Sequence, residues 1–364
     1  MLQASNPHSM RRVLLLQTMG GQRKSYQDAA TRLGVDLLVY ELPAASLSDT
    51  AIASVIGFAK SNAATGCLAV DARSAMVGAA VTAALALPGN PPAASGISRN
   101  KLLTRERLRD SDLLVPWFFP TSIGADPSAL ASMVAFPCVL KPLFPSDGRG
   151  VMRADDVASF VDAFARLREQ LASVDADADD AERDTALIEG YIDGWEFVLV
   201  GVMHHGALHA FALIDKPDPL EGPQFQDTIY VVPSLAPEPM QWDLLDAVSR
   251  AAASIGLRHG PVRAECRVSD RGVYVLGVAP KPLDAGWAAA LRFQKDAKGP
   301  LVGYEDLLVR HALGESPNDW RREPEASGVM KVSAECGYIY SRGPSAEVVE
   351  RELRQRAVVE SRYG

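Results

Sequence analysis

The chain has 364 residues, 48% hydrophobic and 23% charged, ordinary globular proportions that exclude a disordered tail or a lipid-embedded bundle. A formal charge of −8 excludes a surface built to follow a phosphate backbone, so no nucleic-acid partner is expected and any nucleotide would be a small ligand. The length exceeds one ordinary core and predicts two or three units that share interfaces.

The N-terminal "MLQASNPHSMRR" precedes only the short apolar run Val13 to Leu16. No run reaches the roughly 18 residues of a membrane span, and no cleavage site follows this one, so a cytoplasmic protein without membrane contact is expected. "RRVLLLQTMGG" reads as a buried parallel strand ending in Gly20 and Gly21, which lack GxGxxG spacing and are read as strand-to-loop punctuation. "QRKSYQDAATRLGVDLLVYEL" predicts a helix stopped at Gly34 and a second strand. "TAIASVIGFAKSNAATGCLAVDARS" repeats the unit, and "AMVGAAVTAALALPGNPP" adds a small-residue helix. Alternating strands and helices give an N-terminal doubly wound, Rossmann-like α/β subdomain over residues 10–95, shaping one wall of a cleft.

"LPGNPPAASG" is a Pro/Gly-rich break, after which residues 96–190 predict a small α+β unit. It holds a basic helix in "SRNKLLTRERLRDSDLLVPWFF", a strand "FPCVLKP", a glycine loop "PSDGRG" and a long helix in "MRADDVASFVDAFARLREQLASV". Asp175, Asp177 and Asp179 mimic the start of a calcium loop, but its sixth and twelfth places hold Asp180 and Ala186 instead of glycine and glutamate, leaving a solvated acidic turn.

Residues 191–315 predict antiparallel strands, the amphipathic helix "PMQWDLLDAVSRAAASIGL", the strand pair "GPVRAECRVSDRGVYVLGVAPKPLDAG" and the helix "YEDLLVRHAL". His204, His205 and His209 fall near a hairpin turn, where alternation sets His204 opposite the other two and argues against a metal cluster. Residues 316–364 predict a short C-terminal segment of two strands and a charged helix. Cys67, Cys138, Cys266 and Cys336 show no ligand spacing and are read as reduced thiols.

Four separated pieces suit one chemistry. Lys101 on the first helix after the break and Lys141 ending a strand could meet phosphate oxygens as point charges. Ser146, Gly148 and Gly150 in "PSDGRG" could fold backbone N–H groups over phosphates. "LIEGYIDGWEF" offers Glu189 to an adenine amino group, with Glu196 seven residues on, and Glu265 opens a strand pair where Mg²⁺ could bridge phosphates.

In this order, with "NKLLTRERL", "PCVLKPLFPSDGRGVMRADD", "TALIEGYIDGWEF", "IDKPDPLEGPQFQDTIYVVPS" and "RHGPVRAECRV", the chain resembles the ATP-grasp superfamily over roughly Ser98 to Leu313. The preceding α/β unit also matches, and the likeness is nearest to bacterial carboxylate–amine ligases of the amino-acid ligase type. The resemblance implies a pre-ATP-grasp subdomain followed by a two-lobed ATP-grasp domain with ATP between the lobes. Lys101 and Lys141 would contact phosphates and the adenine side, and the loop of Ser146, Gly148 and Gly150 would close over the phosphates. Glu189 and backbone near Tyr191 would read adenine, Glu196 would reach the ribose, Lys216 would face the nucleotide, and Glu265 would be the first Mg²⁺ carboxylate. Such enzymes transfer phosphoryl from ATP to a small carboxylic acid, and an amine substrate then attacks the acyl phosphate.

Relatives end the second strand of the metal pair with "EVN" or "EVA", then a small residue, arginine and proline. Here "GVAPKP" puts Gly277 in the glutamate's place, Ala279 in the amide's and Lys281 in the arginine's. The expectation is therefore a weakened Mg²⁺ site in which Asp284 could substitute, with Arg263 as a second cation over the transferred group. Two readings follow: a working ligase, or a catalytically silent homologue that binds nucleotide or a partner without turnover. A homodimer is the commonest expectation for such a chain.

Overall fold

The computed structural model describes residues 11–18, 23–43, 47–144, 150–172, 180–218, 222, 225, 228–333 and 337–363. Gly20, Gly21, Ser146, Gly148, Asp175, Asp177, Asp179 and Cys336 lie outside them. Strand Arg12–Thr18 runs parallel between Asp36–Leu42 and Gly66–Ala69. Its side chains alternate between two cores: Val13 and Leu15 pack with Tyr26 of the helix Arg23–Leu33, while Leu14 and Leu16 pack with Val55 and Val77 of the two other helices. That is the doubly wound arrangement the alternating sequence predicts. Helix Ala72–Leu85 starts at a capping box of Asp71 and Ser74, and Asp71 also accepts the Thr18 N–H at 3.0 Å, which pins the helix to the end of the first strand.

The Pro/Gly-rich break is less irregular than its composition suggests. Pro92–Arg99 is a helix, with proline in its first turn where a missing N–H costs nothing. Asn100 ends this helix and caps the next, Lys101–Arg109, accepting the N–H groups of Leu102 and Leu103 at 3.0 and 3.2 Å. Lys101 is thereby fixed in a first helical turn.

Two larger antiparallel sheets follow, beside a third of three short strands. The smaller has four strands in the order Phe118–Ser122, Thr185–Gly190, Cys138–Pro142 and Met152–Ala154. Helix Val157–Ala172 covers it with Phe160, Phe164, Leu167 and Leu171, one apolar stripe at helical spacing packed on Cys138, Leu140 and Ile188. Each of those side chains contributes about 2 kcal/mol by leaving water.

The larger sheet has seven strands, in the order Gly272–Ala279, Gly260–Ser269, Trp195–His204, Ala207–Lys216, Ile229–Val232, Ala326–Ser333 and Gly337–Gly343. Helix Glu238–Ile255 packs on it through Leu244, Val248, Ala251 and Ile255. The C-terminal strands belong to this sheet: Ala326–Ser333 pairs with Ile229–Val232, and Gly337–Gly343 forms its edge. Helix Tyr304–Ala312 joins the first unit to the large sheet, closely enough that a Cβ on Gly66 would lie 2.3 Å from the Ala312 carbonyl oxygen. No helix among the described residues is long and apolar enough to cross a membrane. Cys67, Cys138 and Cys266 are free, and burial pushes the first two thiols up to about 12.

Candidate active site

A cavity of about 1210 Å³ opens between the two antiparallel sheets, with Ala72 and Ser95 of the N-terminal helices on its wall. From the smaller lobe it takes Lys141, Gly150 and Glu189, and from the connecting helix Lys101. The larger sheet adds Glu196, Lys216, Arg263, Glu265 and Gly277, with Lys281 and Asp284 just beyond it. Tyr191 lines it as well. Every described residue that the sequence proposed for the site therefore borders one space. Gly150 has φ +74°, a backbone conformation that favours glycine, and a Cβ there would displace the end of the Gln170 side chain.

Two charged clusters border the cavity, the first set by sheet register and the second by packing of helix Lys101–Arg109 on the smaller sheet. Glu196 sits opposite Lys216 on one neighbouring strand and Arg267 on the other. It accepts from Arg267 Nε and Nη2 at 3.2 and 3.0 Å and from Lys216, with all three side chains buried. Glu189 accepts from Arg105 Nε and Nη2 at 2.9 and 3.3 Å and from Lys141. Burial alone would raise the Glu189 carboxyl, but Arg105 and Lys141 outweigh it and hold the pKa at about 2. Burial lowers the lysines instead: Lys101 falls to about 7, pressed further by Lys141, and Lys141 also falls.

Tyr191 is clamped between two guanidinium groups, Arg153 at 4.1 Å and Arg267 at 5.2 Å from its ring. Its N–H already donates to the Pro137 carbonyl at 3.1 Å, so that group is not the donor available to an adenine.

The metal corner differs from the expected carboxylate pair. Glu265 faces Gly277 across the strands, and Arg263 faces Ala279. Arg263 Nη2 donates to Glu265 Oε1 at 2.6 Å, while Arg263 Nη1 lies 3.8 Å from Asp284 Oδ2 and Lys281 Nζ lies 3.7 Å from Asp284 Oδ1. Both carboxylates are thus neutralised by side chains. Mg²⁺ requires near-octahedral oxygens, and Gly277 and Ala279 present none from their side chains. Glu265 and Asp284 are therefore the carboxylates left at this corner, each beside Arg263, where Mg²⁺ would need substrate phosphates to complete its oxygens.

Sequence reasoning missed several residues of the cavity. Arg267, which lines it, and Arg105, which stands behind Glu189, were hidden as ordinary basic positions in a strand and a helix: strand pairing sets Arg267 beside Glu196, and packing of helix Lys101–Arg109 sets Arg105 beside Glu189. Trp287 stacks on Tyr230 with centroids 3.9 Å apart, and Tyr230 Oη accepts from Arg263 Nη2 at 3.2 Å. Lys331, Val332 and Tyr338 come from the C-terminal strands, so the last part of the chain contributes to the cleft wall.

Comparison with known proteins agrees with this geometry. The model of the ATP-grasp domain matches residues 134–290. An L-amino acid ligase from Bacillus licheniformis superposes with a TM-score of 0.76 at 18% identity, covering 95% of this chain and 96% of that one. Residues 134–290 thus match an ATP-grasp domain, and the chain shares the fold of that ligase. Its likeness runs to ligases: it is 24% identical to D-alanine–D-alanine ligase of Ralstonia pickettii (strain 12J) over 65% of this chain and 70% of that one. It is 28% identical to carnosine synthase 1 of Gallus gallus over 76% of this chain, a stretch that spans only 30% of that relative.

Proposed function

We propose that the cleft binds ATP and activates a small carboxylic acid as an acyl phosphate, which an amine then attacks to form an amide. The observation that carries this reading is the convergence of Lys101, Lys141, Lys216, Arg263 and Lys281 on one cavity between two lobes. Phosphoryl transfer needs positioned positive charge more than covalent chemistry. Lys101 and Lys141 would neutralise the phosphate chain beside Gly150. Glu189 would hold Lys141 in place, because the buried pair with Arg105 leaves that lysine little freedom. Tyr191 and the buried Glu196 would border the adenosine.

At the reacting end Arg263 and Lys281 would hold the transferred phosphoryl oxygens and orient the carboxylate. Lys281 supplies charge but not the two-pronged donors of an arginine, so it positions the acyl phosphate less rigidly. In relatives of this fold Mg²⁺ neutralises phosphate charge; here no step is assigned to it, since Arg263 already spans the two carboxylates.

That same contact favours a second reading, a nucleotide-binding homologue without turnover. Thermal melting with ATP, followed by ADP release over a panel of carboxylic acids and amines, separates the two. Ligation predicts both a raised melting temperature and ADP release that needs acid and amine together. Stabilisation without release supports the silent homologue, and no stabilisation by ATP overturns both.

A further inference from the structure

Five of the six histidines of the chain gather at one place away from the cleft. His204 ends strand Trp195–His204, His259 precedes strand Gly260–Ser269, and His311 lies in the last turn of helix Tyr304–Ala312. The pairing of Gly260 with Met203 sets His259 beside His204. The hairpin differs from simple alternation: His205 sits in the turn with φ +52°, and its ring lies 4.3 Å from that of His204, with His209 at 5.9 Å.

One ring nitrogen from each of His204, His259 and His311 lies within 4.8 Å of the others. Zn–N bonds of about 2.0–2.1 Å in a tetrahedral site place ligand nitrogens roughly 3.3 Å apart. His204 Nδ1 and His311 Nε2 already stand 3.2 Å apart. His259 Nε2 is 3.3 Å from the His311 carbonyl oxygen, and with Nε2–H donating there the lone pair is on Nδ1. That Nδ1 is buried and has no hydrogen-bond partner. A set of satisfied core histidines would not leave this acceptor orphaned, whereas a ring whose other N–H binds a backbone carbonyl is the usual state of a zinc ligand.

We infer that His204, His259 and His311 form a zinc site with water in the fourth position, reached when the His259 ring turns out of its stack on His311, where the centroids lie 4.1 Å apart and the planes 15° from parallel. Three neutral imidazoles suit Zn²⁺ and not Mg²⁺. A cavity of about 50 Å³ adjoins His259 and His311 and is large enough for the water. None of the three lines the large cleft.

The site would act as a clamp. Asn90 of the N-terminal region accepts the N–H groups of Arg258 and His259 at 2.7 and 3.1 Å, and the helix bearing His311 packs against strand Gly66–Ala69. Zinc there would tie the N-terminal unit to the large sheet, independently of any nucleotide.

The test is a cobalt titration of metal-stripped, full-length protein without nucleotide. One equivalent of Co²⁺ should give tetrahedral visible bands that zinc abolishes, and zinc should raise the melting temperature. His204→Gln should weaken binding by about tenfold or more, with unchanged far-UV circular dichroism, while the pair His205→Gln and His209→Gln, and separately Glu265→Gln, should leave it unchanged. X-ray absorption at the zinc edge of the unaltered protein needs no variant and should count three imidazoles. Absent cobalt bands, fewer than three imidazoles, or dependence on His205 and His209 alone would each overturn the site.

Discussion

Gly277→Glu tests the account of the metal corner most directly. An ideal Cβ at Gly277 meets nothing within 4 Å, and the residue borders the cavity opposite Glu265, so a side chain can enter without displacing a neighbour. Like charges directly opposite on paired strands cost about 0.2–1 kcal/mol. Arg263 and Lys281 lie beside them, so the variant should fold with a stability change within about 1 kcal/mol. A second carboxylate about 4 Å from a divalent cation contributes about 2 kcal/mol even at the dielectric of water, or roughly thirtyfold in affinity. The assay is calorimetric titration of ATP with and without Mg²⁺, beside urea denaturation. The variant should show Mg²⁺-dependent nucleotide binding strengthened by at least tenfold over the natural chain. If the natural chain already shows that dependence in full and the variant adds nothing, the argument that Gly277 removes a needed ligand is wrong.

Arg105→Ala should be far costlier than its helix position suggests. It strips Glu189 of a two-pronged buried partner and leaves the carbonyls of Val275 and Leu276 without their donor at 3.1 and 3.0 Å. A loss of about 3–5 kcal/mol is expected in denaturant unfolding, and a loss under about 1 kcal/mol would show that Glu189 is not held as described. Lys101 makes ATP binding depend on pH. Its pKa near about 7 in the folded protein lies below the ordinary lysine value, so free protein is increasingly deprotonated above that pH while phosphate favours the charged form. Binding should therefore take up close to one proton at pH 8 and weaken as pH rises, and calorimetry in two buffers of different ionisation enthalpy should detect it. The same shift makes unfolding take up a proton above pH 7, so this group's contribution to stability increases with pH between about 7 and 10. Equal binding heats in both buffers would remove Lys101 from the phosphate site.

How far the site could be read in the sequence depends on how local its causes are. Lys101 follows from a cap at Asn100, Lys141 from a strand end, and Glu265 from a period-two strand, all visible within a few residues. The parallel unit was equally legible, because a strand buried on both faces is a continuous apolar run. Arg105 and Arg267 were not: their roles arise from partners 84 and 71 residues away, chosen by sheet register and lobe packing. The histidines show the same limit more sharply. Period-two alternation argued against a cluster from His204, His205 and His209, and strand pairing then brought His259 in while helix Tyr304–Ala312 brought His311, 107 residues from His204. Local pattern predicts which face a residue takes; what meets it there is decided by non-local pairing. The metal corner required both kinds of information. The absence of a glutamate at position 277 is written in the sequence, but that Arg263 lies between Glu265 and Asp284 appears only once the strand pair and the turn after it are folded together. If that arginine supplies the charge that a metal would otherwise bring, Arg263→Gln should weaken ATP binding in the natural chain more than Mg²⁺ withdrawal does, and calorimetry that ranks the two effects in the opposite order would return the role to the ion.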